Sequence, residues 1–136
     1  MTHKKKFKNT LDDLHKELCD VSDWMYHNPE LGFEEFKTSK YLVDFIQSKN
    51  VKVNYPSHKL DTAFDVTFGD SGPLVVLCVE YDALPEIGHA CGHNIIATAS
   101  IGAGLGLQDV ANDLGIRVKL LGTPAEEGGG GKIILL

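Results

Sequence analysis

In the string GHACGHN, which begins at Gly88, the residues His89, Cys91 and His93 fall at alternate positions. An extended loop turns such residues to one side, and a Cys thiolate with neutral imidazole nitrogens is a ligand set that zinc favours. The same string also suits a buried cysteine between two loop histidines bonded to the backbone. Glu126 and Glu127 weigh toward the metal, because adjacent carboxylates straight after an apolar run put two charges at a buried edge, where they need compensation. One glutamate can ligate while the other takes a proton from water whose pKa zinc lowers to about 7. Solvated glutamates opening a loop are the plainer alternative. Asp82 follows a second apolar run; it can ligate, orient a histidine ligand through its second ring nitrogen, or only cap the turn Ala83-Leu84-Pro85.

The elements that must position these residues follow from periodicity. Leu11, Leu14, Leu18, Val21, Trp24 and Met25 recur at helical spacing behind Thr10 as N-cap, which predicts a helix to about His27, stopped by Asn28-Pro29. Phe36, Tyr41, Leu42, Phe45 and Ile46 predict a second helix, with Glu34 and Glu35 in its first turn. Val51 to Tyr55 and Phe64 to Phe68 alternate as short strands toward a sheet edge. The run Leu74 to Val79 is apolar throughout, as in a central strand covered on both faces. Asn94 to about Asn112 reads as a helix in which Gly102, Gly104 and Gly106 allow close approach, not as a dinucleotide fingerprint, which belongs in a strand-to-helix turn. Ile116 to Leu121 reads as another buried strand. The order indicates an α/β fold with a mostly parallel sheet sandwiched by helices, and the polar clusters converge at the carboxyl ends of its strands.

Composition bounds the rest. With 136 residues, 43% hydrophobic and 24% charged, the chain has room for one globular domain. The net charge of −6 has no basic face for nucleic acid, and residues 1–9, with Lys4, Lys5, Lys6 and Lys8, read as a basic disordered tail. No apolar stretch is long enough for a membrane span, and Cys19, Cys78 and Cys91 do not make a disulfide framework. A cytoplasmic protein with reduced cysteines is the expectation, Cys19 and Cys78 being core residues.

Three strings together carry a family resemblance: HNPELGFEEFKTS from His27, EYDALPEIGHACGHN from Glu80 and GTPAEEGGGGK from Gly122. In order and spacing they resemble the zinc metallopeptidases that include aminoacylases, carnosinase-type dipeptidases and the amidohydrolases of amino-acid conjugates. GHACGHN is most similar to the branch of aminobenzoyl-glutamate hydrolases and intracellular dipeptidases acting on β-alanyl-lysine-type dipeptides. The resemblance implies Cys91, His93 and Glu127 as metal ligands, Glu126 as general base and Asp82 as the aspartate that steers the site. It implies two zinc ions, or another divalent metal, in the complete protein, which would hydrolyse the amide bond of small dipeptides or N-acyl amino acids. Glu80 stands where the aminoacylase branch has a histidine, and Asn94 where conjugate amidohydrolases have aspartate.

Chains of that family run on into further histidine ligands and an inserted lid domain that often dimerises. On this reading residues 10–136 are the N-terminal part of a catalytic domain, without the lid and the C-terminal part, and inactive alone. Two other functions compete: Cys91 as an acyl-forming nucleophile activated by His89 or His93, which leaves Glu126 and Glu127 without a task, and a non-catalytic remnant that binds metal or a partner.

Overall fold

The computed structural model describes residues 1–136. Helix α1 spans His3–His27, so it begins well before Thr10, and the basic run expected as a disordered tail lies within it. Thr2 caps it by accepting the Lys5 amide at 3.3 Å. The first turns are fastened at a distance: Lys6 Nζ donates to the Asp109 carbonyl at 2.9 Å, and the Phe7 ring lies against Gly106. Periodicity missed this extension because its anchors lie far away in sequence. Cys19 is exposed, contrary to its expected place in the core; Val21 and Met25 form the buried stripe.

Helix α2 spans Phe36–Gln47. Its first-turn amides are met by Glu30, whose carboxylate accepts the Thr38 amide at 2.7 Å, the Thr38 hydroxyl at 2.8 Å and the Lys37 amide at 3.2 Å. Trp24 stacks on Tyr41 with ring centroids 4.0 Å apart, which seats α2 against α1.

Strands β1 (Phe64–Phe68), β2 (Leu74–Glu80) and β3 (Arg117–Thr123) form a sheet in the order β1-β3-β2. β3 pairs parallel with β2 and antiparallel with β1, so the sheet is mixed and β3, not the run at Leu74, is central. Leu74, Val75 and Val76 are 42–44% exposed; an apolar run records the chemistry of a strand but not which of its faces is covered. Val51 to Tyr55 forms only a single bridge, Asn54 to Asp65, and Pro56 has no N–H with which to extend it.

Helix α3 (His93–Gln108) packs between α1 and the sheet. A Cβ on Gly104 would lie 2.6 Å from Leu120 of β3, and one on Gly102 2.9 Å from Leu18 of α1, so the small residues serve both contacts. The core joins Met25, Leu42, Ile46, Phe64, Val79, Tyr81, Ile101 and Leu120. The short helix α4 (Ala111–Leu114) links α3 to β3. No helix is long and apolar enough to cross a membrane.

Candidate metal centre

β2 and β3 run parallel, so their carboxyl ends open on the same edge. Glu80 closes β2 and Asp82 follows it, while Glu126 and Glu127 lie just beyond β3. His93 is the first residue of α3, and the positive end of that helix favours the carboxylates gathered around it.

His93 is the hub. Its Nδ1 lies 2.7 Å from the Asp82 carbonyl and 3.1 Å from Asp82 Oδ1. A proton on Nδ1 is thus occupied, which leaves the Nε2 lone pair free to ligate. Nε2 faces three carboxylates: Glu80 Oε2 at 3.5 Å, Glu126 Oε2 at 3.7 Å and Glu127 Oε1 at 3.7 Å. Ligand arms of about 2.1 Å in a tetrahedron put ligand atoms about 3.4 Å apart, so these separations suit an ion held in common. Ligand atoms of Glu80, His93 and Glu126 all lie within 4.8 Å of one another. Asp82 is 2% exposed, and its Oδ1 has no hydrogen-bond partner. The donor set therefore fits a divalent cation.

Asp82 Oδ2 accepts the Glu127 amide at 3.0 Å, which ties the loop after β3 to the loop after β2. Cys91 is exposed beside Glu127. Its thiol pKa is raised, first by the Glu127 carboxylate beside it and then by partial desolvation and the charges of Glu126 and Asp82. Carboxylates with no added cation keep that sulfur protonated, the opposite of what an activated nucleophile needs. His89 is buried with both ring nitrogens unpartnered. Burial, then His93, lowers its pKa, so it stands neutral.

Three contributors escaped the sequence reading. Glu80 drew notice only as a departure from a motif, yet it faces His93. Glu35 was assigned to a helix turn, but it is fully buried: Oε1 accepts the Ala125 amide at 2.8 Å and Oε2 the Thr62 hydroxyl at 3.2 Å. A Cβ on Gly32 would lie 3.0 Å from the Ala125 Cβ, so the segment around Leu31 braces the loop that carries Glu126. Lys132 donates to Glu80 and lies 3.4 Å from Glu126 Oε1. No local pattern announces these contacts; the only signal was that Glu80, Lys132 and the trio Glu30, Gly32 and Glu35 each lie within one of the three quoted strings. A cleft of about 370 Å³ opens beside the cluster, lined by Leu31, Gly32, Asp82, Leu84, Glu127 and Gly128.

No family model matches the sequence. Among known proteins, the chain is 36% identical to a mouse (Mus musculus) Xaa-Arg dipeptidase, over 98% of this chain and 34% of the relative. It is 31% identical to a p-aminobenzoyl-glutamate hydrolase subunit of Escherichia coli, over 86% of this chain and 28% of that one. The chain thus spans about a third of the length of the relatives it matches. Its fold is that of a Bacillus subtilis dinuclear metal-binding peptidase, with a TM-score of 0.76 at 23% identity, over 85% of this chain and 37% of that structure. A protein of methicillin-resistant Staphylococcus aureus superposes with a TM-score of 0.79 at 24% identity, over 96% of this chain and 38% of its own.

Proposed function

We propose that the chain is part of an M20-type peptidase, akin to the dipeptidase and hydrolase relatives it matches, and that its site serves metal-dependent hydrolysis of the amide bond of small dipeptides or N-acyl amino acids. One observation carries the reading: His93 Nε2 faces oxygens of Glu80, Glu126 and Glu127 at 3.5–3.7 Å while the Asp82 carbonyl holds Nδ1.

His93, Glu127 and Cys91 would hold the metal, zinc being the ion this N, O and S set suits. A divalent ion there supplies polarisation of the scissile carbonyl and a lower pKa for water. Glu126 takes a proton from the attacking water as its oxygen bonds to the carbonyl carbon, and passes that proton to the amine as the C–N bond breaks. Asp82 orients both partners, through its carbonyl to His93 and its carboxylate to the Glu127 amide. The cleft beside Asp82 and Glu127 would seat the substrate.

The substrate class, a two-ion centre, a lid domain and a homodimer are drawn from kinship with longer proteins and belong to this proposal. So does a cytoplasmic location, which the three free cysteines support. The raised thiol pKa speaks against Cys91 as nucleophile. The test is dipeptide and N-acyl amino-acid hydrolysis by the purified protein with and without added zinc. Activity that chelation abolishes and zinc restores is expected; turnover indifferent to chelation would overturn the reading.

A further inference from the structure

After Glu127 the glycine run turns back over the site. The Gly131 amide bonds to the Ala125 carbonyl at 3.1 Å, and the short helix α5 (Gly131–Ile134) starts there. This return carries the Lys132 ammonium to the carboxylate cluster, where it donates to Glu80 Oε1 and lies 3.4 Å from Glu126 Oε1. The second oxygens of the same two carboxylates face His93 Nε2. Each glutamate is therefore shared between an ammonium on one side and an imidazole on the other. Burial, the largest single influence, works against the charge on Lys132, but the bonds to Glu80 and Glu126 and their charges together outweigh it and raise the pKa.

We propose that Lys132 is a tethered counter-cation that competes with a divalent metal at His93 for the negative charge of Glu80 and Glu126. Four carboxylates, those of Glu80, Asp82, Glu126 and Glu127, meet around one imidazole, and a cation held by the chain itself keeps that cluster assembled without metal. An incoming ion at His93 must share the charge of Glu80 and Glu126 with the ammonium and tolerate a like charge beside it. Lys132 thus weakens capture at this side of the centre and leaves the Glu127 and Cys91 side open. The inference rests on the proposed metal-dependent function, and its test reads binding, not activity.

The experiment is calorimetric titration of the metal-stripped protein with zinc, comparing wild type with Lys132→Met and Lys132→Arg. Methionine keeps the length and removes the charge, so binding tighter by about tenfold, or an added ion per chain, is expected from the loss of a charge a few ångströms from the ion. Arginine should behave as wild type. A structural defect weakens binding, so a gain separates competition from damage. Equal or weaker binding by folded Lys132→Met overturns the proposal while zinc binding by the wild type leaves the functional reading standing; a wild type and a Lys132→Met variant that both bind no zinc overturn both. Should Lys132→Met fail to fold, nitrogen-15 lysine NMR of the wild type decides. The Lys132 ammonium signal is expected to shift as zinc is added, and a signal unmoved at saturation overturns the proposal.

Discussion

Glu35 and Ala125, ninety positions apart, are joined by a 2.8 Å hydrogen bond from the Ala125 amide to Glu35 Oε1, with the carboxylate wholly removed from solvent. Ala125 precedes Glu126 and adopts a left-handed backbone with φ of 53°. The bond therefore fixes the loop that aims both site glutamates, and it explains why the segment around Leu31 shares a fold with the loop after β3.

Removing that carboxylate should cost stability. Glu35→Ala strands the Ala125 amide and the Thr62 hydroxyl, and an unsatisfied buried group costs about 1–3 kcal/mol. Glu35→Gln keeps an acceptor for the amide and should lose much less. Urea denaturation of the two variants measures the difference; equal losses would show that the bond to Ala125 contributes nothing.

The same residue makes a signed pH prediction. Burial, the largest cause, raises the Glu35 pKa above its usual value, with the charge of Asp82 adding to it and the bonds from Ala125 and Thr62 opposing. The native state then holds this proton more tightly than the unfolded chain, so Glu35 favours folding below the unfolded pKa of about 4.3, and that contribution fades as pH rises through the raised native value. The stability of Glu35→Gln relative to wild type should therefore improve as pH rises through that window. Paired urea titrations across it isolate the residue, since the other carboxylates cancel; a difference that falls with pH would contradict the shift.

How far this was legible follows from particular residues. The convergence of Asp82, His93, Glu126 and Glu127 could be foreseen because each follows an apolar strand or opens a helix, and parallel strands bring such ends together. The place of β2 at a sheet edge could not, since Leu74 to Val79 has the same composition whether it has one neighbour or two. Glu35 and Lys132 were hidden for another reason: a carboxylate in a first turn and a lysine after glycines look like surface groups until the chain is folded.

Helix packing offers a test away from the site. Gly104→Ala would gain about 1 kcal/mol of helix propensity, but its Cβ would sit 2.6 Å from Leu120 Cδ2, whose side chain is fully buried. Overpacking of about 1–3 kcal/mol outweighs the gain. Gly102→Ala meets Leu18, which is only partly buried and can yield, so it should lose less. Thermal unfolding of the pair checks the order; a stabilised Gly104→Ala would mean that α3 stands further from the sheet.

Role assignments separate in the metal-loaded protein. Glu126→Gln removes a base and should lower kcat by about 10²–10⁴ with metal content nearly intact. His93→Ala removes the nitrogen at the centre of the cluster and should lower metal content itself. Metal analysis beside kcat for both variants decides, and the reverse pattern would exchange the two roles.

Cys91 offers the last test, one that also distinguishes a ligand from a nucleophile. Both Cys91 and Cys19 are exposed, so iodoacetamide should reach both thiols in the metal-free protein. Cys91 stands beside Glu127 whereas Cys19 lies on α1, away from the cluster. Bound zinc should therefore slow alkylation of Cys91 strongly, because a coordinated sulfur has given its lone pair to the metal, and leave Cys19 unchanged as an internal control. Mass spectrometry of the two cysteine-bearing peptides, with and without zinc, reads both rates in one sample. A Cys91 that alkylates at the same rate in both would not be a ligand. If it also labelled stoichiometrically with a substrate-derived acyl group, the nucleophile reading would replace the metal-centred one.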